Sequence, residues 1–178
     1  MAQVRRFPAQ VQTARLVGDR ITRADSEALV AIVADPEIPE AMYPAALRGP
    51  GRTRAGIDRM VRHWDERGFG PWVARERATG AVVGRVGLLS AVVEGREAVE
   101  VGWFVSRARW GLGYATELAA VAVQHAFASL RLPELVSFTL PANAPSHAVM
   151  RKLGFTPAGE IEHAGLPHVL FRLAAPAD

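Results

Sequence analysis

The residues best placed to do chemistry lie in one run, Val99-Glu-Val-Gly-Trp-Phe-Val-Ser-Arg-Ala-Arg-Trp-Gly-Leu-Gly-Tyr-Ala115. Its first half alternates as a strand, and a glycine-rich turn follows that opens directly into a helix. Gly111 and Gly113 let the backbone approach a ligand closely. A helix N-terminus adds free N–H groups at the positive end of its dipole, and the combination is a cradle for a pyrophosphate. Arg107 and Arg109 stand just ahead of it, placed to pair with phosphate oxygens. The same Gly-Leu-Gly is compatible with a plain strand-to-helix turn, and both readings stay open. A Walker loop is excluded because no Lys-Ser/Thr follows the glycines. The dinucleotide fingerprint is disfavoured, because Thr116 stands where its third glycine belongs and an antiparallel meander precedes the loop.

Strand alternation places Val99, Val101, Trp103 and Val105 on one face and Glu100, Gly102, Phe104 and Ser106 on the other. Glu100 is the candidate general base, direct or through a water; the competing reading is a strand carboxylate paired with one of the chain's twenty arginines. Asn143 and Ser146 start a later helix, as ligand contacts or as a capping pair. Trp64, Phe69 and Trp72 are better read as core than as pocket walls. His63, His125, His147, His163 and His168 show no metal-ligand spacing, and without cysteine there is no thiolate nucleophile or Cys-bound zinc, so no metal is expected.

Trp110-Gly-Leu-Gly-Tyr-Ala-Thr-Glu117 after Glu-Val-Gly-Trp-Phe resembles the acyl-CoA pyrophosphate loop of the GNAT N-acetyltransferase superfamily, and most closely its RimJ/RimL-like branch. Three further motifs carry the resemblance. They are Thr13-Ala-Arg-Leu-Val, the pair Gly68-Phe-Gly-Pro-Trp-Val-Ala and Thr79-Gly-Ala-Val-Val-Gly-Arg-Val-Gly-Leu88, and Asn143-Ala-Pro-Ser-His-Ala-Val-Met-Arg-Lys-Leu-Gly-Phe155. The resemblance implies acetyl-CoA as cosubstrate and direct transfer to a primary amine, of a protein N-terminus or a small molecule. It implies pantetheine in a wedge between the strand ending near Ser106 and the strand starting near Leu135. The N–H groups of Gly111, Leu112, Gly113, Tyr114 and Ala115 would hold the pyrophosphate, with Phe104, Val105, Trp110, Thr116 and Asn143 beside the cofactor. Many members carry a tyrosine acid in the late helix; here that position is Met150, which leaves Ser146 or a water to protonate the thiolate. Met150 also keeps a non-catalytic acyl-CoA-binding domain as the alternative.

The elements that must position these residues follow from pattern. Strands are predicted over 13–20, 71–77, 81–92, 98–106, 135–140, 156–162 and 167–173, and helices over 25–34, 53–67, 111–130 and 143–153. The fold class is α/β (α+β): one domain over 13–173, a mixed, mostly antiparallel sheet of about seven strands with about four helices, which the resemblance implies is splayed between the fourth and fifth strands. Residues 1–12 and 174–178 read as loose tails. The long Pro/Gly-rich stretch from Glu37 to Arg54 reads as a border of the acceptor entrance.

Composition bounds the rest. The chain has 178 residues, 49% apolar, enough for one domain with a real core. No apolar run of about 18 residues occurs and no signal pattern opens the chain, so a cytoplasmic protein is expected. The sequence pI near 10.1 comes from scattered arginines and not from a clustered stripe, which disfavours a nucleic-acid binder. A homodimer through an edge strand stays open.

Overall fold

The structure, a computed structural model, describes residues 6–177. Eight strands form one sheet in the order β1-β2-β3-β4-β5-β6-β8-β7. They are β1 (Gln10–Gln12), β2 (Leu16–Arg20), β3 (Pro71–Glu76), β4 (Val82–Val93), β5 (Arg96–Val105), β6 (Glu134–Thr139), β7 (Thr156–His163) and β8 (Leu166–Ala174). Four helices cover the two faces: α1 (Ser26–Val33), α2 (Pro50–Arg67), α3 (Tyr114–Ala128) and α4 (Ala144–Lys152). The expected mixed sheet with four helices is present, with one more strand than expected.

That strand comes from the segment read as a loose tail. Val11 pairs opposite Gly18, and Phe7, only 3% exposed, stacks on Trp72 with ring centroids 4.7 Å apart. The Trp72 indole N–H donates to the Pro8 carbonyl at 2.8 Å. Phe7 and Val11 are therefore part of the core, and residues 1–5 of that expected tail lie outside the described residues. At the other end β8 runs through Ala174, and the Ala175 N–H donates to the Pro133 carbonyl, so that tail also begins later than expected; residue 178 is outside the described part. Phe7→Ala should lower unfolding free energy by about 3 kcal/mol in urea titrations. Acetyl-CoA affinity should not change, because the side chain lies away from the cleft.

The helix starts explain two boundary differences. α2 begins at Pro50, three residues before the expected Thr53, because a proline in the first turn gives up only an N–H that has no helical partner. α3 begins at Tyr114 and not at Gly111, because Gly111 (φ 76°) and Gly113 (φ 81°) are both left-handed and cannot be helical residues. The start of α1 is tied down by Asp25, whose Oδ2 accepts from the Thr22 N–H and hydroxyl, each at 2.8 Å. Trp64 and Trp72 are core, as expected. Among the described residues no helix is long and apolar enough to cross a membrane.

The sheet is forked. β4 and β5 pair from Gly84–Val105 to Val93–Arg96. β5 and β6, the one parallel pair, share a single register point at Glu100 and Val136. The Ser137 hydroxyl, buried, donates to the Val101 carbonyl at 2.8 Å and closes the base of the fork. Beyond it the two strands diverge, at the place expected from sequence. α3 lies on β4 and β5 through Leu118, Ala119, Ala122 and Ala126, all fully buried, and α1 lies against β4. The small alanines let α3 sit close, so its N-terminus ends beside the fork.

Candidate active site

A cleft of about 740 Å³ opens at the fork. Of the residues singled out in the sequence, it gathers Glu100, Phe104, Val105, Arg109, Trp110, Gly111, Gly113, Tyr114, Ala115, Thr116, Asn143 and Ser146 along one wall system. Arg107 and Leu112 lie outside it.

The loop between β5 and α3 is built as a receptor for hydrogen-bond acceptors. Its two left-handed glycines turn the chain so that the N–H groups from Gly111 to Ala115 are left without an acceptor among the described residues; the first helical bond is from Glu117 N–H to the Gly113 carbonyl at 2.9 Å. The Trp110 indole N–H donates to the Val105 carbonyl at 2.8 Å and fixes the turn. Trp110 and Leu112 remain 37% and 48% exposed, two of the three large apolar side chains exposed among the described residues, and they give the loop an apolar rim.

The two arginines expected at phosphate oxygens already have carboxylate partners. Arg109 donates from Nε to Glu76 Oε1 at 2.5 Å and from Nη2 to Oε2 at 3.2 Å, and the Tyr114 hydroxyl donates to the same carboxylate at 3.0 Å. Arg107 pairs with Asp35 at 3.2 Å and with Glu37. Both arginines therefore brace the loop, one to β3 and one to the end of α1. Arg109 still borders the cleft. Arg15 adds a third brace, pairing with Glu117 at 2.7 Å and lying over the Tyr114 ring.

The Arg109 guanidinium and the Tyr114 hydroxyl hold the Glu76 carboxyl down to about 2, from an ordinary value near 4.5. Folding thus favours ionised Glu76. Its stabilisation is complete above pH 4.5 and is lost as pH falls through about 2. The stability gap between wild type and Glu76→Gln should be full at neutral pH and close across that acid window, read by thermal melts at stepped pH.

Glu100 is the opposite case. It stands at the fork's base, on the face that looks toward α1 and α2. Among the described residues no arginine reaches it as an ion pair, and burial raises its carboxyl to about 7 against the lowering influence of the Arg85 charge. Gly102, two residues on, leaves the space the carboxylate uses: a Cβ there would stand 3.3 Å from Glu100 Oε1. A carboxylate half-ionised near neutral pH, in a cleft, is poised for proton transfer.

Asn143 caps α4, its Oδ1 accepting from the Ser146 N–H at 3.2 Å while its amide donates to Thr139 Oγ1 at 3.0 Å. Ser146 Oγ accepts from the Trp103 indole at 3.3 Å, so a hydroxyl on α4 reaches across to β5. Met150 is buried below it. His63 is fixed as a neutral ring: the Ser90 N–H donates to Nε2 at 3.0 Å, so Nδ1 carries the proton and donates to the Phe69 carbonyl at 2.9 Å. It is a structural histidine.

The loop from Glu37 onward reaches the cleft through Ile38, Met42, Tyr43, Pro44 and Leu47, with the Tyr43 ring 5.3 Å from that of Phe104. Two residues missed in the sequence matter here. Glu76 organises the loop and left no local signal. Arg85 enters the cleft, and its signal was present: it is the single charge in the apolar strand β4.

A mixed sheet that forks beside a glycine-turned helix N-terminus, with a poised carboxylate at the fork, is the frame of an acyl-CoA-dependent acyltransferase. The chain belongs to the GNAT acetyltransferase family: residues 15–156 match the family model described as an acetyltransferase (GNAT) domain. It is similar to the uncharacterized N-acetyltransferase YoaA of Bacillus subtilis (strain 168), 24% identical over 153 residues that cover 86% of this chain and 85% of that one. An acetyltransferase structure from Agrobacterium tumefaciens str. C58 superposes with a TM-score of 0.77 and 26% identity, covering 94% of each chain. RimJ of Mycobacterium smegmatis, solved in complex with CoA-disulfide, shares the fold at a TM-score of 0.70 and 21% identity, over 93% of this chain and 87% of that one. The protein is an N-acetyltransferase, and acetyl-CoA is its cosubstrate.

Proposed function

We propose that the protein moves the acetyl group of acetyl-CoA directly to a primary amine, of a protein N-terminus or a small molecule, in the manner of the RimJ/RimL-like branch and in the cytoplasm. The observation that carries this reading is the Glu100 carboxyl, raised to about 7 at the base of the fork. An amine must lose a proton to attack, and a base matched to neutral pH accepts it without being titrated away. The amine nitrogen forms a bond to the thioester carbonyl carbon, the C–S bond breaks, and the amine proton passes to Glu100, directly or through a water. The thiolate takes a proton from Ser146 or a water, since the Met150 thioether has none to give.

The cofactor residues divide by what they offer. The N–H groups from Gly111 to Ala115, with Thr116 on the next turn, face the pyrophosphate. Phe104, Val105, Trp110, Asn143 and Ser146 line the path of the pantetheine arm. Arg109 contributes positive potential from its place on Glu76, and Arg107 acts by bracing the loop. Positioning supplies most of the acceleration, because the thioester is already activated. The outer strand β7 offers eight residues of edge to which a second copy could add a strand, which light scattering reads directly.

The test is release of CoA thiol from acetyl-CoA across a panel of amines and N-terminal peptides. The chain has no cysteine, so every thiol detected is CoA. Amine-dependent release is expected. Tight acetyl-CoA binding with no release for any amine would make the protein a non-catalytic acyl-CoA-binding domain.

A further inference from the structure

Among the described residues, every arginine that makes no ion pair is exposed, with one exception. Arg15, Arg20, Arg54, Arg75, Arg109 and Arg172, among others, each meet a carboxylate within 4.0 Å. Arg85 differs. Its side chain makes no ion pair or hydrogen bond among the described residues, although it is half-buried and lines the cleft. Burial pushes its pKa down, while the Glu100 and Tyr43 charges act in the other direction. A desolvated cation without a hydrogen-bonded anion is costly, and folds dispense with one unless something else supplies the anion.

The register shows where that anion would sit. Arg85 is opposite Phe104, Gly87 opposite Gly102, and Leu89 opposite Glu100, so these six residues share the face of β4 and β5 that looks toward α1 and α2. The Gly70–Pro71 backbone closes over Gly87, and the cleft between the Arg85 and Glu100 positions opens at Gly102, which has no side chain. The two charged groups are too far apart for a direct ion pair, yet each charge is felt by the other. The walls around them are aromatic and apolar, from Tyr43 tilted against Phe104 and from Phe138 beside His163 at 4.8 Å.

We propose that the acceptor is a free amino acid with an apolar side chain, its carboxylate paired with Arg85 and its amine facing Glu100 within the cleft. The assignment rests on the acetyl-transfer reading and narrows its acceptor. A guanidinium takes a carboxylate through two parallel N–H···O bonds, which fixes the amino acid's orientation, and the aromatic walls take the side chain. A protein N-terminus carries an amide where the free amino acid carries this carboxylate, and would leave Arg85 unpaired.

Matched acceptors test this at a pH of about 8.5, where Glu100 is ionised: L-methionine and L-phenylalanine, their carboxamides, and a peptide that begins with aspartate. Wild type should prefer each acid over its amide by about 10- to 100-fold in kcat/KM, the range set by a hydrogen-bonded charge pair. Arg85→Met should bring that ratio close to one, chiefly through KM for the acid, and Arg85→Lys should restore part of it. Equal use of acid and amide by wild type overturns the proposal while the transfer reading stands. So does an equal loss on both in Arg85→Met. Faster acetylation of the aspartyl peptide than of either free amino acid also overturns it, because the anion then belongs to a polypeptide. Titration of N-acetyl-L-methionine into the CoA complex is independent of turnover. Binding there that weakens at least tenfold in Arg85→Met supports the carboxylate site even if no amine is acetylated, in which case the transfer reading alone falls.

Discussion

Glu100→Gln is expected to lower kcat/KM for the amine by about 10²- to 10⁴-fold, the range of general-base catalysis, with acetyl-CoA affinity unchanged. The same substitution should make the protein more stable at alkaline pH. Folded Glu100 keeps its proton up to about pH 7, whereas the unfolded side chain releases it near 4.5. Between those values the folded state binds more protons than the unfolded one, so wild-type stability falls as pH rises through this window and levels off above it. Glutamine has no proton to lose there. The variant should gain on the order of 1–3 kcal/mol over wild type above pH 7, and no gain below about 4.5. The wild-type pH–rate profile should rise with an apparent pKa near 7, and the variant's profile should lack that limb. A variant that loses activity and stability together would make Glu100 a structural carboxylate.

The second large effect concerns binding. The double variant Gly111→Ala, Gly113→Ala should weaken acetyl-CoA by tenfold or more for each N–H that leaves the pyrophosphate, since a hydrogen bond to a charged group is worth about 1.5–3 kcal/mol. Space is not the obstacle: a Cβ at Gly111 meets nothing within 4 Å, and one at Gly113 meets only Arg15 Nη2 at 3.5 Å. The obstacle is the left-handed backbone, which costs a side-chain-bearing residue about 1–2 kcal/mol at each position. The loop relieves that strain by rotating, and the N–H groups then stop converging. Melting temperature should fall only modestly, because the braces at Glu76 and Glu117 lie outside the two residues changed. Unaltered affinity would mean that Gly-Leu-Gly is only a turn.

The contrast between these two variants separates chemistry from binding, and both positions were legible from local pattern. Glu100 stood out because strand alternation put a lone carboxylate beside Gly102, and the loop because two glycines preceded an apolar helix. The fork was expected only through the resemblance to the GNAT superfamily, which implies a sheet splayed at that place. What escaped was set by distance along the chain. Glu76 meets Arg109 across 33 residues and Asp35 meets Arg107 across 72, and no periodicity announces such pairs. With twenty arginines, each had many conceivable partners. The strand at Gln10–Gln12 was too short to alternate recognisably, and its burial depends on Trp72, far along the sequence. Asn143 showed its capping residue type in advance, and the resemblance set it beside the cofactor, where it lines the cleft.

Calorimetric titration of the purified protein with acetyl-CoA, CoA, NAD and ATP tests the central claim most directly. Acetyl-CoA and CoA should bind one site per chain, and at one hundred times the dissociation constant each should add about 2.7 kcal/mol of stability in parallel melts. NAD and ATP should do neither. No response to either CoA species, or an equal response to all four nucleotides, would contradict the account and leave the loop at Gly111 a turn or a general anion site.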